Sequence, residues 1–88
     1  MLSQKDYACR ICGFLQPSLP WGYDGKTPLF EICDCCGAEF GYEDVTIQSI
    51  KQYRDRWLSD GAIFWAPREK PKKWLLEEQL KQIPDRFR

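Results

Sequence analysis

Two short units, Cys9-Arg10-Ile11-Cys12-Gly13 and Cys33-Asp34-Cys35-Cys36-Gly37, follow the same pattern C-x2-C-G and constrain this chain more than any other feature. The spacing has a physical reason. A tight turn between two cysteines lets both thiolates point at one ion about 2.3 Å away, and backbone N–H groups inside the turn can donate to the sulfurs. Glycine directly after the second cysteine accepts the positive φ that closes such a turn. Two turns of this kind supply four sulfurs, so Cys9, Cys12, Cys33 and Cys36 are the expected ligands of a tetrahedral metal site.

Five cysteines are present. Choosing Cys33 and Cys36 reproduces the first unit, glycine included, whereas Cys35 would give C-x-C or adjacent cysteines with no matching partner. Cys35 is therefore read as a small, partly buried side chain beside the site. A disulfide framework is disfavoured by the odd count, and thioredoxin-type redox chemistry by the lack of a βαβ pattern around a single C-x-x-C. The opening segment shows no basic flank leading into a long apolar region, and no apolar run has membrane-spanning length. The expected location is the cytoplasm, without a membrane partner.

At 88 residues the chain is expected to form one domain, near the size at which a hydrophobic core alone gives only marginal stability. A structural metal would add the missing constraint. Net charge is zero but unevenly placed: residues 1–49 carry three basic and seven acidic side chains, and residues 50–88 carry ten basic and six acidic ones.

Residues 1–45 read as a metal-binding ribbon. "DYAC" and "LFEIC" are the strand candidates leading into the cysteine pairs, and "QPSLPWGYDGKTP" between the pairs is turn-rich. Residues 46–88 read as a helical tail packed on it. Ile47, Ile50, Tyr53 and Trp57 recur at helical spacing, with Thr46 or Asp44 as cap and Gly61 as stop, which predicts a helix over 46–60. In "WLLEEQLKQI", Leu76, Leu80 and Ile83 share a second helical face that ends at Pro84. The fold class expected is small α+β: short β-hairpins carrying metal knuckles, followed by two C-terminal helices.

At these residues the chain resembles two known groups. "YACRICGF" and "CCGA" are similar to the iron-binding knuckles of rubredoxin. "FEICDCCGAEFGYED", Phe30 to Asp44, resembles the core of small bacterial zinc-ribbon-like proteins of the cysteine-rich CPCC type, with Asp34 in place of proline. That resemblance extends through "YRDRWLSDGAIFW" and "KKWLLEEQL". It implies a zinc ribbon with a Trp-containing helical tail. Four thiolates suit zinc and iron alike, and the tail together with the second resemblance favours Zn2+ over Fe.

A site closed by four protein ligands leaves no position for water or substrate. The chain holds no histidine, and no nucleophile motif or phosphate loop is visible. Glu43-Asp44 is expected to be a solvated turn or helix cap. The function expected is thus a non-enzymatic, metal-stabilised binding module whose partner is another protein. The alternatives are an iron electron carrier and a nucleic-acid binder that would use Arg68, Lys70, Lys72 and Lys73 beside Trp65 and Trp74. Trp57 is expected in the core; Trp65 is expected either at an interface or, with Trp74, packing the two helices onto the ribbon.

Overall fold

A computed structural model describes residues 2–88. It corrects the expected fold class. Strand pairing among the described residues is confined to two isolated antiparallel bridges, Ala8 with Leu15 and Ile32 with Glu39, one flanking each cysteine pair. The molecule is small, mostly irregular and helical, rather than an α+β zinc ribbon with β-hairpins.

Local chemistry explains why the strand candidates stop short. In "DYAC", Asp6 accepts the Ser3 backbone N–H at 2.6 Å, and residues Gln4–Tyr7 wind into a 3-10 turn. That local bond competes with a ladder. In "LFEIC", Phe30 takes a left-handed φ of 59°, which interrupts any extended run before the bridge at Ile32. Pro17, Pro20 and Pro28 remove further ladder donors from the connecting segment. What remains is held by individual bonds, such as Gln16 N–H to the Tyr7 carbonyl and Phe40 N–H to the Glu31 carbonyl.

Helix α1, Ile47–Ser59, matches the periodicity closely. Thr46 is its cap: the hydroxyl accepts the Ser49 N–H at 3.1 Å, and Ser49 Oγ answers toward the Thr46 backbone. Ile50 and Trp57 are buried and Tyr53 is half-buried, whereas Ile47 lies largely in solvent. The helix ends at Asp60-Gly61, and the Ala62 N–H returns to the Trp57 carbonyl at 2.8 Å.

Helix α2, Leu76–Leu80, is only five residues long and continues as a turn through Ile83. Its buried side chains differ from expectation. Ile83 is in the core, but Leu76 and Leu80 are only partly covered, and the fully packed residue of α2 is the polar Gln79. A 3-10 turn at Asp85–Phe87 brings Phe87 back onto α1.

The core is one cluster in which all five cysteines pack with Ile11, Phe40, Ile50, Trp57, Phe64, Ile83 and Phe87. The sulfur-bearing turns are thus the centre of the fold. Among the described residues, no helix is long and apolar enough to cross a membrane.

Candidate metal centre

Each cysteine pair is closed by the same two backbone bonds. Gly13 N–H donates to the Cys9 carbonyl at 2.9 Å, and Cys9 N–H to the Phe14 carbonyl at 3.0 Å. In the second turn, Gly37 N–H donates to the Cys33 carbonyl at 2.9 Å, and Cys33 N–H to the Ala38 carbonyl at 2.8 Å. Both glycines have left-handed φ, 83° and 80°, as the motif requires. Both are also sites of close approach: a Cβ at Gly13 would collide with the Gln79 carbonyl oxygen, and one at Gly37 would lie 2.5 Å from the Trp65 ring.

These turns bring the four expected residues together. The Sγ atoms of Cys9, Cys12, Cys33 and Cys36 all lie within 4.8 Å of one another, and all four residues are buried. Cys9 and Cys36 sulfurs are 3.8 Å apart, and Cys12 and Cys33 sulfurs 3.6 Å. A regular tetrahedron with sulfurs about 2.3 Å from a central ion has edges of about 3.8 Å. The donor set and its spacing therefore fit one tetrahedral metal ion. Two cross-pairs link the first turn to the second, so an ion here would join segments far apart in sequence.

Cys35 stands outside that group. Its buried sulfur accepts the Gln79 side-chain amide at 3.2 Å, and the same amide nitrogen donates to the Cys12 carbonyl at 3.0 Å. The Gln79 side-chain oxygen Oε1 accepts the Trp74 indole N–H. Gln79 thus explains both the fifth thiol and the polar register of α2.

The electrostatics are those of a crowded set of thiols. Burial, followed by the neighbouring thiol of Cys33, pushes Cys12 well above the ordinary range. Cys33 is held below it by hydrogen bonds from Cys12, then from Cys36 and Cys9. The Gln16 side-chain amide also reaches the Cys33 sulfur at 3.4 Å. Among the described residues no buried side-chain nitrogen or oxygen lacks a partner.

Sequence reasoning missed the two cations that frame the cluster. Arg54 donates to the carbonyls of Ile11 at 2.6 Å, Arg10 at 2.9 Å and Phe87, tying α1 to the first cysteine turn and to the C-terminal end. Arg10 donates to the carbonyls of Asp44 and Gly25 and stacks on Trp21 and Phe87, its guanidinium carbon 3.8 and 4.3 Å from the ring centres. Burial lowers the pKa of both, while Asp44 at Arg10, and Asp55 then the thiolates at Arg54, oppose the shift. Neither arginine forms an ion pair among the described residues. Four thiolates around a divalent cation would carry two excess negative charges, and the buried Arg10 and half-buried Arg54 guanidiniums beside them would set positive charge against them. A signal for Arg54 was available: it falls four residues after Ile50, on the face α1 buries. Arg10 had no such signal.

Asp44 is likewise not a solvated turn. It is fully buried, accepting the Trp21 indole N–H at 2.8 Å and the Gly41 N–H at 2.7 Å. Burial raises its pKa despite those bonds. Tyr53 donates its hydroxyl to the Cys36 carbonyl at 2.9 Å, and burial, reinforced by the Cys36 thiolate, pushes it up to about 12.

Fold and cluster together define a small, largely irregular helical protein organised around four buried cysteines positioned to hold a metal ion. Its sequence is 34% identical to the uncharacterized protein YoaQ of Bacillus subtilis strain 168, over 80% of this chain and 72% of that protein. It is 31% identical to the uncharacterized protein YozI of the same strain, over 78% of this chain and 70% of that protein. The chain belongs to the YoaQ family. No family model matches it, the CPCC type included, and no solved structure matches it.

Proposed function

We infer that this chain is a non-enzymatic binding module in which Cys9, Cys12, Cys33 and Cys36 hold one structural zinc ion and the surface over the second turn engages another protein. The observation that carries this reading joins the two halves. Trp65 N–H donates to the Cys35 carbonyl and Ala66 N–H to the Asp34 carbonyl, both at 2.8 Å, so the segment bearing the exposed aromatic is fastened to the very loop that supplies Cys33 and Cys36. Trp65 lies over Gly37 yet remains 61% exposed, and Ile63 beside it is 69% exposed. Between them and α1 runs a shallow groove of about 370 Å³, floored by Tyr53, Trp57 and Phe64.

In this reading zinc supplies a cross-link and no open coordination position. The cysteines fix the loop, the loop fixes Trp65, and an exposed aromatic on a rigid base is the usual anchor of a protein interface. The basic stretch suits nucleic acid less well. Trp74 gives its N–H to Gln79 and its ring to the edge of Phe64, and Lys70 already lies over it at 5.0 Å. That leaves little of its surface for a base.

The test is capture from the native cell with metal-replete protein, comparing wild type with Trp65→Ala. The reading expects Trp65→Ala to melt near wild type and to lose the captured protein. A large fall in melting temperature would place Trp65 in the core and remove the interface. Metal identity is read from colour in the same preparation: zinc gives a colourless protein, whereas a red one that a one-electron reductant bleaches reversibly would assign iron and electron transfer.

A further inference from the structure

Sharing no lining residue with the Trp65 groove, a separate cleft of about 370 Å³ opens between the first cysteine turn, the Trp21–Gly25 loop and the C-terminal 3-10 turn. Its interior is built from stacked cations and rings. Arg10 lies on Trp21 and on Phe87, and Arg86 lies on the same Phe87 ring, its guanidinium carbon 4.7 Å from the centre. Two guanidiniums therefore share one aromatic surface, each in the other's field.

The two differ in what they have left to offer. Arg10 commits both terminal nitrogens to the Asp44 and Gly25 carbonyls, whereas the exposed Arg86 donates no hydrogen bond among the described residues. The acidic groups nearby are engaged elsewhere: Asp85 pairs with Lys5 and Arg88 at 3.4 Å each, and Asp6 accepts the Ser3 N–H. Asp44 and the cysteine cluster lie in the field of Arg10, so the cation of the cleft without an acidic partner among the described residues is Arg86, with Arg10 behind it adding to the positive field. Like charges held together in a recess cost free energy unless an anion joins them.

We propose that this cleft binds a phosphate-bearing ligand, with Arg86 contacting the phosphoryl oxygens and Arg10 fixed behind it as a second, immobile positive charge. Phosphate matches the site in charge and shape. A phosphate monoester near neutral pH carries close to two negative charges, and its oxygens suit the planar fork of a guanidinium. Tyr23 lines the same cleft and is 85% exposed, which offers a ring to an organic body attached to the phosphate. Free phosphate and a phosphorylated metabolite share the phosphoryl chemistry, and Tyr23 is the feature that separates them.

The test is isothermal titration of the protein as isolated with inorganic phosphate, adenosine monophosphate and adenosine. Saturable binding of phosphate or of the nucleotide, absent with adenosine, is the expected result. Arg86→Ala should weaken it at least about tenfold, the loss expected for one charge-assisted contact. Because Arg86 is exposed, donates no hydrogen bond among the described residues, and leaves Arg10 still stacked on Phe87, this variant should melt near wild type. Arg68→Ala, an exposed arginine in another part of the chain, should leave binding unchanged. Tighter binding of the nucleotide than of phosphate, reduced to the phosphate level by Tyr23→Ala, assigns an organic phosphate; equal binding assigns the inorganic ion. The proposal is overturned if neither anion saturates, if adenosine binds as well as its monophosphate, or if Arg68→Ala weakens binding as much as Arg86→Ala.

Discussion

Single side chains decide how the cysteine turns are held, and the least expected of them is Asp44. It is fully buried, with each carboxylate oxygen accepting one N–H. Asp44→Ala would orphan the Trp21 and Gly41 donors at about 1–3 kcal/mol each, and urea unfolding should show a loss in that range or above it. Its titration has a definite sign. The folded pKa lies above the ordinary 3.8, so the protonated form is the one the fold favours. The stability linked to this group is fully present below the unfolded value and is lost as pH rises through the folded one. Wild type should therefore gain on Asp44→Asn as pH falls from neutral toward that window, compared at each pH by their urea midpoints. A gap that is constant or moves the other way would mean the carboxylate is favoured as an anion after all.

At the scale of elements, α1 acts as a strut between the cysteine turns and the C-terminal end. Trp57 is 7% exposed and gives its indole N–H to the Ile63 carbonyl, so Trp57→Ala should cost about 3–5 kcal/mol, enough to unfold much of a chain this small. Arg54→Ala should cost about 3 kcal/mol through its lost carbonyl bonds, and should also weaken metal retention, because two of those carbonyls belong to the first cysteine turn. Melting and metal analysis of the same variant check both parts. What the sequence shows well is local. The C-x2-C-G turns, the helix cap and the α1 periodicity each depend on residues a few positions apart; the turns form, Thr46 rather than Asp44 is the cap, and the helix buries Ile50 and Trp57 but leaves Ile47 exposed. What it shows poorly is the exchange of partners over distance. The two strand candidates give way to a 3-10 turn and a left-handed Phe30, and α2 covers only Leu76–Leu80, with Gln79 bonded inward to Cys12 and Cys35. Helical periodicity counts apolar residues, so the buried Gln79 and the half-buried Arg54 do not register in it.

For the whole molecule, the cysteines occupy the place that a larger protein fills with aliphatic side chains. With so little regular pairing, the cluster of sulfurs is what brings residues 9–12, residues 33–36 and the C-terminal turns onto one centre. Metal binding energy in such a chain is largely folding energy. The most direct test is the metal-to-protein ratio of material isolated from the native host, measured for wild type, Cys33→Ser and Cys35→Ser together. The account predicts one tightly held metal ion per chain in wild type and in Cys35→Ser, zinc in both, and clearly less than one in Cys33→Ser together with a loosened fold. Full retention in Cys33→Ser with loss in Cys35→Ser would contradict the ligand set, and with it the claim that these four cysteines hold the molecule together.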